Sequence, residues 1–79
     1  MVNLVQVGSF RKVADADALK AKLTLNCYAA KIESIKQRDG EIWQRVLIGT
    51  FKTEQHAKAL QQQLKTIEID SILVLKYTD

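Results

Sequence analysis

VQVGSF, Val5 to Phe10, and VLIGTF, Val46 to Phe51, are two versions of one element, and the relation between them decides the fold. Sliding the chain without gaps so that Val5 falls on Val46 also places Gly8 on Gly49, Phe10 on Phe51, Ala16 on Ala57, Ala18 on Ala59, Leu19 on Leu60 and Leu23 on Leu64. Val7/Ile48, Ser9/Thr50 and Arg11/Lys52 are conservative matches in the same alignment. Two copies at so long a period do not make a solenoid; they read as two halves of one fold that share a core. One exchange breaks the symmetry. Gln6 has Leu47 as its counterpart, so one copy carries an amide where the other is apolar.

Each half reads strand, helix, strand. Leu4 to Val7 and Ile42 to Ile48 are apolar and β-branched runs, ended by Gly8 and Gly49, which suit turn geometry that larger residues resist. Ala16, Leu19 and Leu23 recur at helical spacing, as do Ala57, Leu60, Leu64 and Ile67, giving each helix a single narrow apolar stripe. Asp15 and Asp17 complement the N-terminal dipole of the first helix, and Thr53 with Glu54 that of the second. Ala29 to Lys36 and Ser71 to Lys76 supply the closing strands, and Arg38-Asp39-Gly40 marks a turn. The order is βαββαβ. Two helices of this kind cover only one face of a four-stranded antiparallel sheet, so the expectation is an α+β two-layer sandwich of ferredoxin-like, RNP-like type. Right-handed crossovers put the first and third strands in its centre and leave the other face open.

With 79 residues the chain is read as one domain, residues 1–79. Folding at this size buries roughly 60% of the unfolded surface, so the stability margin is modest. A hydrophobic fraction of 47% and a charged fraction of 27% are ordinary for a soluble domain, and with three glycines and no proline there is no linker. The net charge of +3 permits an anionic partner without demanding one. Cys27 is the only cysteine, which excludes an internal disulfide, a CxxC redox pair and a thiolate metal cluster. No segment approaches the roughly 18 apolar residues of a membrane span, and MVNLVQV lacks the regions of a secretory signal. The chain ends carry no information about a parent protein.

Strand alternation assigns faces. If Val5, Val7, Val46 and Ile48 point at the helices, Gln6, Trp43, Arg45 and Leu47 point away, together with Lys31, Glu33, Ile72 and Val74, while Leu73 and Leu75 point inward. Taken singly, Trp43 also fits a ring folded over the core edge, Arg45 a solvated partner of Glu33, and Gln6 an ordinary surface residue. An indole, a guanidinium, an amide and aliphatic neighbours on one uncovered face fit a binding surface better. His56 has no ligand partners at suitable spacing and reads as a surface residue; Cys27, in the Asn26-Cys27-Tyr28 turn, reads as small and semi-buried; Ser9 has no visible base. No catalytic residues, metal ligands or cofactors are assigned, and the chain is read as a non-enzyme.

The Val5-Gln6-Val7-Gly8-Ser9-Phe10 element, the Ala18-Leu19 and Leu23 helix, the Trp43-x-Arg45-Val46-x-Ile48-Gly49-x-Phe51 strand and the Ala59-Leu60 helix together resemble the SPOR (sporulation-related repeat) domain, from about Leu4 to Leu75. The resemblance implies a peptidoglycan-binding module of bacterial cell-division and cell-wall proteins, one that prefers glycan strands stripped of stem peptides. It implies a domain of a larger envelope protein, with a periplasmic or cell-envelope location at the division septum. The family's binding positions carry over to Gln6, Ser9, Trp43, Arg45 and Ile72. Cys27 stands where the family commonly has glycine, and Thr50 where it frequently has proline. Some relatives bridge the first and last strands with a disulfide; Val7 and Ser71 occupy that region here.

The chemistry suits such a ligand. An exposed indole stacks on the C–H face of a pyranose, for about 1–3 kcal/mol by analogy with base stacking. The Gln6 amide offers a donor and an acceptor to an N-acetyl group, Ser9 adds a hydrogen bond from the loop, and Arg45 clamps the lactyl carboxylate freed when the peptide is removed. The partners expected are therefore glycan strands of peptidoglycan and, through the parent protein, other division proteins. The domain itself is expected to be a monomer with no nucleic acid and no membrane contact. RNA recognition on the same open face is the alternative, but Ile42-Trp43-Gln44-Arg45-Val46-Leu47 lacks the basic-Gly-aromatic run and extra rings of RNA-binding strands. A protein-interaction module is the third reading.

Overall fold

A computed structural model of the chain describes residues 1–77; Thr78 and Asp79, at the end of the expected domain, lie outside the described residues. The elements are β1 (Val2–Phe10), α1 (Val13–Leu25), β2 (Ala30–Lys36), β3 (Ile42–Phe51), α2 (Glu54–Lys65) and β4 (Ile72–Lys76). They form one antiparallel sheet in the order β2-β3-β1-β4, the expected α+β arrangement with the first and third strands in the centre. The central pair joins the two halves of the repeat. Gln6 and its counterpart Leu47 are direct neighbours across it, so the pseudo-twofold relation between the halves passes between them.

Both helices cover the same face. Ala16 and Ala57, equivalent in the repeat, are fully buried, and as the smallest side chains on each stripe they let the helices approach the sheet. Leu23 and Leu64, also equivalent, close the core against Val5, Val46 and Ile48. The Thr53 hydroxyl accepts from the His56 backbone N–H at 3.2 Å and caps α2, whereas α1 starts from Lys12 without a side-chain cap. His56 itself is exposed.

Each helix ends in the same left-handed turn. The N–H of Cys27 reaches the carbonyl of Thr24 at 3.0 Å and that of Tyr28 reaches Leu23 at 2.9 Å, the paired bonds of a Schellman cap. In the second half Glu68 bonds to Lys65 at 3.1 Å and Ile69 to Leu64 at 3.0 Å. Cys27 at φ 66° and Glu68 at φ 61° therefore hold positions that glycine fills at least cost. This accounts for the glycine that the family pattern has at this place; the cysteine of this chain holds the same left-handed conformation at a backbone cost. The turn also corrects the expectation of a semi-buried residue: the cysteine is exposed, because a left-handed cap turns its side chain outward.

Neither glycine ends its strand. β1 runs on to Phe10 and β3 to Phe51. Gly8 is required by packing instead of by a turn: a Cβ there would lie 2.7 Å from Phe10 Cε2 and 2.8 Å from Leu19 Cδ2. Gly49 combines φ +145° with a Leu4 Cδ2 only 2.9 Å from where its Cβ would be. Two irregularities break the β1–β3 ladder at these places. On β1, Val7 and Gly8 together stand opposite Val46, a bulge that shifts the alternation by one residue from there on.

Candidate functional site

The face away from the helices is ordered in three successive rows by the strand register. Lys31, Leu47, Gln6 and Ile72 form the first, Glu33, Arg45 and Ser9 the second, and Ile35 with Trp43 the third. All five residues expected from the sequence thus lie on one face: Gln6 directly beside Ile72, Ser9 directly beside Arg45, and Trp43 one row further along β3. Ser9 reaches this face only because of the bulge. Without it, strict alternation would aim the hydroxyl at the helices with Val5 and Val7. The expectation of a loop hydroxyl is corrected accordingly; Ser9 is an exposed strand residue.

The face is not flat. Lys76 on one edge strand and Glu33 on the other approach to 3.5 Å. In a flat sheet their positions would be on the order of 25 Å apart, beyond the joint reach of the two side chains, so the sheet curls toward this side along that diagonal. Bulges increase local twist, and both irregularities of the β1–β3 ladder lie in the curled region. The consequence is a concave floor. Leu4 and Leu47 are 1% and 3% exposed although they belong to the face without helices. Leu47, expected in the open, is closed in by this curvature, which no count along one strand reveals. On the helix side Leu75 departs in the other direction: its register aligns it with the inward set, yet it lies at the edge and stays 58% exposed.

Arg45 is half-buried on this surface. Glu33 stands opposite it in register, but the Glu33 carboxylate is the one that meets Lys76, and among the described residues no carboxylate pairs with Arg45. The simple cross-strand ion pair is therefore not formed. Trp43 is half-buried and lies outside the core cluster under the helices, with its Nε1 enclosed and lacking a partner among the described residues. Its ring carries a residue that the sequence did not single out. The Arg11 guanidinium sits 5.3 Å from the ring centroid and pairs with the Glu41 carboxylate. At the other end of the site, Gln6 and Ile72 line a cavity of 200 Å³ with Val7, Gly8, Asp70 and Ser71, open beside the bulge. Ile72 is 57% exposed there, an apolar wall next to an amide.

A family model described as SPOR domain matches residues 4–75. Two solved structures superimpose over 96% of the chain. One is the peptidoglycan binding domain of the cell wall lytic enzyme CwlC from B. subtilis, with TM-score 0.78, 26% identity and 90% of that chain covered. The other is the SPOR domain of RlpA from Pseudomonas aeruginosa, with TM-score 0.77, 27% identity and 100% of that chain covered. No curated protein matches significantly. The duplicated strand-helix-strand frame, the Trp43/Arg45 strand and the extent of the family match lead to one conclusion: the chain belongs to the SPOR domain family.

Proposed function

We propose that this domain binds peptidoglycan without catalysis, prefers glycan strands denuded of stem peptides, and so directs its parent protein to the division septum or cell wall. The observation that carries this reading is a guanidinium, Arg45, that meets no carboxylate among the described residues and stands beside an exposed hydroxyl, Ser9, and one row from an indole, Trp43, on a concave sheet face. Such a surface suits a polymer that is apolar on its ring faces, polar at its N-acetyl groups and anionic at intervals. The solved relative from B. subtilis, described as a peptidoglycan binding domain, supports the same ligand class.

The roles follow from chemistry. Trp43 takes a pyranose C–H face, worth about 1–3 kcal/mol by analogy with base stacking. Arg45 receives the lactyl carboxylate of N-acetylmuramic acid through two parallel charge-assisted bonds. Gln6, lining the cavity beside Ile72, exchanges a donor and an acceptor with an N-acetyl group, and Ser9 adds a hydrogen bond next to Arg45. A stem peptide would convert the carboxylate into an amide and bring bulk onto a surface already narrowed by Lys76 and Glu33. Selectivity then comes from both lost charge and obstruction.

Co-sedimentation with intact and amidase-treated sacculi tests the reading. The domain should pellet preferentially with the treated material, and Trp43→Ala should lose retention while keeping its circular dichroism spectrum. Equal pelleting on both materials would remove the denuded-strand preference; undiminished pelleting of a folded Trp43→Ala would remove the site.

A further inference from the structure

Arg11 belongs to none of the positions carried over from the family resemblance, yet the fold brings it into the site. β1 ends at Phe10, opposite Gln44, and the next residue along the same ladder is Arg11, which falls beside Trp43. There its guanidinium lies over the indole, 5.3 Å from the centroid, and one Nη donates to Glu41. Glu41 is fixed by the β2–β3 turn: its N–H donates to Asp39 Oδ1 at 2.9 Å and its carbonyl accepts from the Gln37 N–H at 2.8 Å. The two side chains of the ion pair are 63% and 40% exposed, which makes the contact solvated, weak and replaceable. Arg45 stands one row away with no carboxylate of its own among the described residues. The end of the face around Trp43 therefore holds two guanidinium groups, one uncommitted and one parked on an internal carboxylate.

We propose that Arg11 is a second carboxylate-binding residue, and that Glu41 and the Trp43 ring hold it in a parked position that the ligand's own carboxylate replaces. The inference rests on the glycan-binding reading above and deepens it. A glycan stripped of peptide carries a carboxylate on every second sugar, so a strand long enough to stack on Trp43 and reach Arg45 presents another nearby. The pyranose takes the place of the guanidinium on the indole, and Arg11 exchanges Glu41 for the incoming carboxylate. Both contacts it gives up are of the solvated kind, and the one it gains is on a surface where the ligand excludes water. Glu41 is in this arrangement a competitor for Arg11 and sets a threshold that a neutral saccharide gains nothing by crossing.

The test uses Trp43, the only tryptophan, as a fluorescence reporter in titrations with two probes: a neutral oligomer of N-acetylglucosamine and a peptide-free fragment of peptidoglycan glycan. Arg11→Gln should weaken the anionic fragment about two- to fivefold, the range of a solvated ion pair, while the neutral oligomer, which no longer has a guanidinium to displace from the indole, binds as tightly as to the wild type or tighter. Glu41→Gln should act in the opposite sense and tighten the anionic fragment by a similar factor, the gain shrinking as salt is raised. Three results would overturn the proposal. Unchanged affinities in both variants would leave Arg11 a purely structural neighbour of the ring. Tighter binding of both probes by Arg11→Gln would make it a cover instead of a binding group. Wild-type domain that binds neither probe nor treated sacculi would take down the glycan reading itself, and this inference with it.

Discussion

Arg45→Gln separates recognition from stability more cleanly than any other change at the site. Among the described residues the guanidinium has no ion pair to lose, because the carboxylate facing it across the strand, Glu33, lies 3.5 Å from Lys76 Nζ instead. Glutamine keeps a polar, strand-compatible chain in the same row. Unfolding free energy should therefore move by no more than about 1 kcal/mol, since the half-buried side chain gives up some packing of its stem but no ion pair. Binding has far more to lose. Hydrogen bonds to a charged group contribute about 1.5–3 kcal/mol, which corresponds to roughly 10- to 150-fold in affinity for a peptide-free strand. An intact strand, whose lactyl group is already an amide, offers Arg45 no carboxylate and should bind the variant almost as it binds the wild type. The ratio of the two affinities is the quantity that collapses. Isothermal titration with peptide-free and peptide-bearing fragments measures it, and thermal unfolding by circular dichroism checks the fold. Arg45→Lys should fall between the two, since it keeps the charge but not the fork. The reasoning is refuted if stripped-strand affinity drops by less than about twofold, or if both ligands weaken together, because the guanidinium would then not be reading the freed carboxylate.

Two further outcomes concern the frame that holds the site. Gly8→Ala would drive a methyl to 2.7 Å from Phe10 Cε2 and 2.8 Å from Leu19 Cδ2, so it should destabilise by about 1–3 kcal/mol and lower the thermal midpoint by about 4–8 °C for each kcal/mol. A midpoint within a degree of wild type would mean that β1 yields easily at the bulge. Cys27→Gly should stabilise by about 0.4–1 kcal/mol, since φ 66° favours glycine, whereas Cys27→Ala, which keeps the strained backbone, should not. Equal behaviour of the two variants in thermal unfolding would show that the left-handed cap is not what limits this position.

What was legible in the sequence was whatever repeats. The pairing of Val5 with Val46 and Leu23 with Leu64 carried the element order, the shared core and the sheet topology, because apolar periodicity is a local signal and the duplication states it twice. The placement of Trp43 and Arg45 followed from alternation along a regular stretch of β3. Ser9 was legible only through the family resemblance, since alternation alone carries it to the helix side and a bulge is not written in apolar pattern. Gly8 was visible but misread: its Cβ-sized space is taken by Leu19 and Phe10, a tertiary fact with no local counterpart. Leu47 was misassigned to open surface because curl is a property of the whole sheet. Arg11 was invisible for the same kind of reason, as its contacts with Trp43 and Glu41 cross 30 or more positions of the chain.

The exchange of Gln6 for Leu47 can now be given a physical cause. The two positions are equivalent in the repeat and adjacent in the sheet, so a symmetric domain would place the same side chain at both. Their surroundings are not symmetric. Leu47 is flanked by Lys31 of β2 and lies on the enclosed part of the face, 3% exposed, where an amide without partners would cost about 1–3 kcal/mol. Gln6 is flanked by Ile72 of β4 and opens into the 200 Å³ cavity, where an amide stays solvated or meets a ligand and a leucine would add another apolar group to an exposed wall. The duplication supplies two equivalent strands, and the curl of the sheet makes one of them floor and the other rim. Divergence at this pair is what a duplicated frame requires once the sheet bends to one side and leaves only one of its two equivalent strands open.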